Sequence, residues 1–396
     1  MKTLQVTKKA SVAHLGTEPC VKEMDLTIES EYIKSVIVQW IGDISLNEQL
    51  CNPQYHELIR ESMDRLGHEA GPCDLRVGNF EAPIWGDGSV NRLRKTRICT
   101  TEQAAKCILP LGLDVVFLGN NHVYDCREKG FENTTKFLRE NGIRFLGAGT
   151  SRDEASQPVI LERRGLTLGF LNYVHRNTNP DIPLEAGVFL NYFDEEVALE
   201  EISEMSRKVH VLLLYLHWGS QELIRLPSLA QRRFGRRAIE TGATVVVFDH
   251  AHCLQPHEDW CDGHIFYGLG NFVFGDLPGK KWSSLACRTA MANIEISREC
   301  VEKTWLAYMC SENGIPNWDK RKSRSRSQEL LNFYIHFSDR VYRILYGWEK
   351  FYQSEIAPCF LFIKKSGGII PSLFKIRKRH FSKFFGGLTR PFRGIG

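Results

Sequence analysis

Val211-Leu-Leu-Leu-Tyr-Leu216 is an unbroken apolar run that stops at His217-Trp218-Gly219. A strand without polar alternation is buried on both faces, as in a parallel sheet covered by helices. Downstream, 229–241 has the spacing of an amphipathic helix, and 244–249 is a second apolar run that stops at Asp249-His-Ala-His252. Upstream, 166–173 reads as a strand and 195–207 as a helix. The alternation extends outward in both directions, with strands at 34–41, 74–80, 114–118, 265–267 and 289–296 and helices at 101–109 and 129–141. Such alternation builds a layered α/β domain.

The polar residues fall where these strands end. Asp43 follows the first strand, and Asn79 and Glu81 close the second. Asn120, Asn121 and His122 follow Leu118, His217 follows Leu216, and His250 and His252 follow Val247. Asn271 comes after the 265–267 strand. Residues just past the carboxyl ends of strands share one rim of an open α/β sheet, where ligands bind. Any one of these segments alone reads equally well as a turn or a cap. Together they bring carboxylates, imidazoles and amide oxygens to one rim, a donor set suited to Mn²⁺, Zn²⁺ or Fe²⁺. If the strand continues through His250-Ala-His252, alternation points both imidazoles to one face.

The bulk composition is ordinary for a globular chain, with 43% hydrophobic and 25% charged residues over 396 positions. The net charge of +4 is unevenly spread, because 356–396 holds nine Lys or Arg and no Asp or Glu, leaving the remainder at −5. Twelve cysteines are scattered with no CxxC pair, the pattern of reduced thiols in a cytoplasmic protein. No stretch reads as a signal peptide or as the roughly 20 apolar residues of a spanning helix. No nucleic-acid-binding module accompanies the basic tail, so a nucleic-acid partner is not expected. Leu373, Phe374, Ile376, Phe381, Phe384 and Phe385 interleave with the tail's basic residues, a pattern suited to peripheral contact with anionic membrane. The expected organisation is an extension at 1–33, a catalytic-type domain at 34–300, a linker and helix at 301–355 and the basic tail at 356–396.

The ordered motifs resemble the CapA family of poly-γ-glutamate capsule biosynthesis. They are Gly42-Asp-Ile44, Gly78-Asn-Phe-Glu81, Gly119-Asn-Asn-His-Val-Tyr-Asp125, Gly147-Ala-Gly149, His217-Trp-Gly219, His250-Ala-His252 and Tyr267-Gly-Leu-Gly-Asn-Phe-Val-Phe274. The resemblance implies the calcineurin-like metallophosphoesterase fold, a four-layer α/β/β/α sandwich of the metallo-dependent phosphatase type. It implies one or two divalent ions, Mn, Zn or Fe, held by Asp43, Glu81, Asn121, His217, His250 and His252. Catalytic roles fall to His122, as general acid, with Asp43 and His250. Asn79, Asn120, Glu222 and Asn271 are the implied substrate contacts. The chain departs from the family pattern at Phe248-Asp249 and Ala251 around the histidine pair, while Ser45 stands where the wider fold class, but not commonly the CapA family, has a histidine ligand.

Three functions follow as expectations. The first is a metal-dependent hydrolase or transferase acting on a phosphoryl or γ-glutamyl/peptide substrate, small molecule or polyglutamate. The second is a metal-independent peptide epimerase using facing acid and base groups. The third is a non-catalytic polymer-binding or scaffolding subunit.

Overall fold

The computed structural model describes residues 35–219, 223–279, 281–319 and 323–356. The 1–33 extension, Glu222 and the tail from 357 onward lie outside the described residues.

Two sheets face each other. The first carries β1 (Val36–Ser45), β2 (Leu75–Phe80), β3 (Val115–Phe117) and β4 (Arg144–Leu146) in parallel. A two-stranded antiparallel pair, β5 (Ala148–Gly149) with β8 (Phe189–Leu190), lies apart from both sheets. The second sheet contains β6 (Val159–Arg163), β7 (Leu166–Val174), β9 (Val211–His217), β10 (Val245–Asp249), β11 (His257–Trp260) and β12 (Gly263–Phe266), in the order β11-β12-β10-β9-β7-β6. The first sheet is completed by β13 (Asn271–Phe274), β14 (Arg288–Ile296), β15 (Val301–Glu312) and β16 (Ile315–Trp318).

Helices cover both outer faces. They are α1 (His56–Glu69), α2 (Glu102–Ala105), α3 (Arg127–Glu140), α4 (Arg152–Ser156), α5 (Glu195–Ser206), α6 (Leu229–Thr241), α7 (Ser323–Ile335) and α8 (Asp339–Phe351). Three apolar cores separate the layers. Ile59, Met63 and Leu66 of α1 and Phe131, Phe137 and Leu138 of α3 pack on the first sheet. Val38, Val77 and Phe117 meet Phe170, Leu213 and Val247 between the sheets. Ala198 and Ile202 of α5, Phe234 and Ala238 of α6 and Tyr342 of α8 cover the second sheet. The chain is thus a four-layer α/β/β/α sandwich. Trp40, Phe117 and Tyr215 stack across the two sheets with ring centroids 5.2 and 4.5 Å apart. Truncating a wholly buried ring such as Phe117 would cost about 3–5 kcal/mol.

Three sequence expectations change. The 301–318 stretch, expected as linker, forms β15 and β16 and belongs to the first sheet. The expected 328–347 helix is two helices interrupted near 336–338. The cysteines are not all free, since Cys99 and Cys126 form a disulfide. The fold joins them across 27 positions because Ile98 N donates to Asp125 Oδ2 at 2.8 Å, which draws the two segments together.

Candidate metal centre

The site begins with a close approach of two chain segments. Asp43 N donates to Gly270 O at 3.0 Å, and a Cβ on Gly42 would lie 1.8 Å from that same oxygen. Only glycine allows the contact. Here β1 changes partner: Val36–Trp40 pair with β14, whereas Asp43–Ser45 pair with β13. The register also slips beside Asp43 on both neighbours. Bulges of this kind re-aim a side chain next to a site.

Three ligand-type side chains meet there. One donor atom from each of Asp43, Glu81 and His252 lies within 4.8 Å of the other two, and all three residues are buried. His252 Nδ1 is 3.1 Å from Asp43 Oδ2, and His252 Nε2 is 3.8 Å from Glu81 Oε1. The short contact of His252 Nδ1 is with Asn271 Oδ1 at 2.8 Å. Asp43 Oδ2 is wholly buried and receives no aligned hydrogen bond. A buried carboxylate oxygen without a donor is costly. Two carboxylates and one imidazole around such an oxygen fit a divalent cation.

Asn121, His217 and His250 form a second, adjoining group. His217 Nε2 is 2.9 Å from Asn121 Oδ1 and 3.1 Å from His250 Nδ1, while Tyr215 OH is 3.1 Å from His217 Nδ1. These groups satisfy one another without an ion. The His250 and His252 rings have centroids 5.9 Å apart. Burial holds the His217 and His250 imidazoles well below the usual histidine range, with neighbouring imidazoles adding to the effect. Neutral imidazole is the form that ligates metals. Ser45 stands apart from this chemistry, donating to Asn47 Oδ1 at 2.8 Å.

The histidine pair is not presented by strand alternation. β10 stops at Asp249, and His250 and His252 adopt φ of 109° and 53°. Left-handed backbone at non-glycine residues costs about 1–3 kcal/mol and concentrates at functional sites. A turn therefore aims both rings. Asp249 Oδ1 accepts from Leu269 N at 2.9 Å, tying that turn to the 268–271 segment. Its other oxygen is buried without a partner, and burial, then the Asp43 charge, raises its pKa well above the carboxylate range.

The amides expected to touch substrate bond within the site, to Asp43, to one another and to His252. Asn79 Nδ2 donates to Asp43 Oδ1 at 2.8 Å, and Asn120 Nδ2 donates to Asn79 Oδ1 at 3.1 Å. Both side chains are fully buried beneath the ligands. Asn271 is buried against His252. Asn79 and Asn271 thus hold the candidate ligands Asp43 and His252 directly, and Asn120 acts through Asn79.

His122 sits across the site, with Nε2 3.8 Å from Glu81 Oε1. Its Nδ1 is 2.6 Å from Asp125 Oδ2, and its backbone N donates to Asn120 Oδ1 at 3.0 Å. Arg94 Nη2 lies 3.4 Å from His122 Nε2, and Arg94 Nε is 3.3 Å from Asp125 Oδ1. A guanidinium only donates and an ionised carboxylate only accepts. His122 therefore rests with its proton on Nδ1 and a lone pair on Nε2. Burial lowers the His122 pKa, and the Asp125 charge partly opposes that shift. Asp125 and Arg94 are not among the expected site residues. Asp125 has a signal, three positions after His122, and Arg94 lies in Arg92-Leu-Arg-Lys-Thr-Arg97, a basic run just before the disulfide cysteine Cys99.

Residues 38–276 match the family described as bacterial capsule synthesis protein PGA_cap. The chain is 27% identical over 212 residues to the PGA biosynthesis protein CapA of Bacillus subtilis (strain 168), covering 51% of this chain and 53% of that protein. It is also 27% identical over 246 residues to the capsule biosynthesis protein CapA of Bacillus anthracis, covering 59% of this chain and 58% of that one. It thus spans little more than half the length of these relatives. Among solved structures it is similar to a hypothetical protein from Thermus thermophilus, at 13% identity and TM-score 0.42, covering 70% of this chain and 100% of the other. A 5'-nucleotidase precursor from the same organism gives 12% identity and TM-score 0.42, over 75% and 58% of the two chains.

Proposed function

We propose that this chain, which belongs to the bacterial capsule synthesis protein PGA_cap family, is a metal-dependent hydrolase or transferase acting on a phosphoryl or γ-glutamyl/peptide substrate. The observation that carries this reading is the meeting of three buried ligand-type side chains, Asp43, Glu81 and His252, with Asp43 Oδ2 receiving no aligned hydrogen bond. Asp43, Glu81 and His252 would hold a divalent ion, with Mn²⁺, Zn²⁺ and Fe²⁺ all matching the donor set. Such an ion, when bound, supplies a polarised electrophile and an ionised water.

The protein's own groups do the remaining work. Asn79 and Asn271 hold Asp43 and His252 in place. Asp125 fixes the His122 tautomer, so Nε2 is the nitrogen that would accept the proton given up by the attacking water. The imidazolium so formed then protonates the leaving group, which refines the general-acid role expected for His122. Arg94 holds Nε2 in its accepting state and keeps a positive charge beside the reacting groups. His250 and His217 support the far side of the site.

Hydrolysis of bis(p-nitrophenyl) phosphate and of γ-glutamyl-p-nitroanilide tests the reading. Turnover of one of them should vanish after chelation and return with Mn²⁺, Zn²⁺ or Fe²⁺. Hydrolysis that survives chelation, with no ion bound, would contradict the metal-dependent reading, whereas no hydrolysis but exchange of a peptide Cα proton with solvent would favour the metal-free epimerase chemistry.

A further inference from the structure

α8 has three faces where a surface helix ordinarily has two. Tyr342, Leu345, Tyr346 and Glu349 form the inner face, and the three aromatic and aliphatic residues join the core over the second sheet. Arg340, Arg343 and Lys350 form a second, exposed face. Val341, Ile344 and Trp348 form a third, which Tyr352 continues just past the helix end. At 3.6 residues per turn the three helical positions fall within an arc of about 100°. Ile344 and Trp348 are each 49% exposed, and the Phe351 ring meets Trp348 edge-on at 5.9 Å. α7 adds Leu330 and Phe333, the latter 58% exposed. Single exposed apolar residues are ordinary, but an aligned stripe marks an interaction surface.

The chemistry beside the stripe selects its occupant. The basic face of α8 flanks the apolar one, and the segment that follows, 357–396, carries nine Lys or Arg and no acidic residue. Tryptophan and tyrosine with aliphatics, bordered by Arg and Lys, match the boundary between lipid headgroups and acyl chains. No helix among the described residues is long and apolar enough to cross a membrane, so α8 would lie on the surface. We propose that α8 docks this protein on an anionic lipid bilayer, its Val341-Ile344-Trp348 stripe in the interface and its basic face against the headgroups.

The inner face of the same helix holds the chain beside the metal centre. Arg225 Nε and Nη2 donate to the two carboxylate oxygens of Glu349 at 2.9 and 2.8 Å, and Tyr342 OH donates to Pro227 O at 2.7 Å. Arg225 and Pro227 belong to the segment that leaves His217, and Leu223 N of that segment donates to Ala251 O at 2.7 Å. Docking through α8 therefore fixes the orientation of the centre relative to the lipid surface.

The test is sedimentation of the full chain with vesicles of phosphatidylcholine alone or mixed with equal phosphatidylglycerol. The full chain should bind the mixed vesicles at low salt and release at high salt. The double variant Ile344→Ser/Trp348→Ser should partition at least about tenfold more weakly. Arg340→Gln/Arg343→Gln should bind more weakly and with a flatter salt dependence. Val197→Ser, at an exposed α5 position, should match the parent. Thermal melting guards against misfolding, and quenching of tryptophan fluorescence by brominated lipid reads the insertion in the unmodified protein. Three results would overturn the proposal: no binding of the full chain to anionic vesicles, stripe variants that partition like the parent, or a parent dimer that those variants convert to monomer in light scattering. The last would assign the stripe to a second copy of the chain.

Discussion

Among the described residues two histidine clusters stand out, and one of them has the marks of a working site. At the first, His252 meets Asp43 and Glu81, and a buried Asp43 oxygen receives no aligned hydrogen bond. At the second, on the β11–β12 hairpin, His257 Nδ1 is 3.0 Å from His264 Nε2, and His264 Nδ1 is 2.6 Å from Asp259 Oδ1. His257 Nε2 completes that chain, 2.9 Å from Asn332 Nδ2 of α7. Every ring nitrogen in the hairpin cluster has a partner within the protein. Density of histidine and carboxylate therefore does not separate function from structure; what separates them is a polar atom left unsatisfied at a cost the fold could have avoided.

The largest effect that would sharpen this contrast is on turnover. His122→Ala should lower kcat about 10²–10⁴-fold, the usual worth of a positioned acid–base group, with bound metal retained. The matching change in the hairpin, His264→Ala, should leave kcat unchanged in whatever protein remains folded. Equal losses in the two variants, measured per folded molecule, would erase the distinction.

Arg94 comes next. Removing one charge-assisted contact usually costs about 1.5–3 kcal/mol, or roughly ten- to hundredfold. Arg94→Ala should lower kcat/KM by that factor, and Arg94→Lys should recover part of it by restoring the charge without the fork. Steady-state kinetics with a parental value for Arg94→Ala would remove the residue from the site.

The smallest effect is on stability. Burial, then the charge of His264, lowers the His257 pKa from the usual value to about 4. The folded state therefore binds this proton less readily than the unfolded chain does. Its contribution is complete above the unfolded value of about 6.5 and is lost as pH falls toward 4. Over that window the parent should lose about 2–3 kcal/mol more than His257→Asn. Urea unfolding at pH 7 and pH 4.5 measures the difference, and parallel losses would show that His257 is not held neutral.

Much of the fold is legible in the sequence because its central strands are continuous apolar runs. β9 and β10 announce themselves in this way. α1 is quieter, since Ile59, Met63 and Leu66 keep the helical i, i+4, i+7 spacing but stand as a narrow apolar line in a mostly polar sequence. β15 reads as linker because it lies toward the edge of the first sheet and keeps much of its surface open, so burial leaves a weak pattern. The site residues are legible as polar letters after apolar runs. Their division of labour is not. That Asn79 and Asn120 lie beneath the carboxylates, that His250 and His252 sit on left-handed backbone, and that Arg94 meets His122 all depend on long-range approach. The Cys99–Cys126 pairing has the same origin.

Anomalous X-ray diffraction from crystals of the protein reconstituted with Mn²⁺ tests the central claim most directly. A peak should appear between Asp43, Glu81 and His252 and should be lost in Asp43→Ala, with nothing at His257 and His264. A protein that takes up no ion at those three residues, or that holds one at the hairpin cluster instead, would contradict the account.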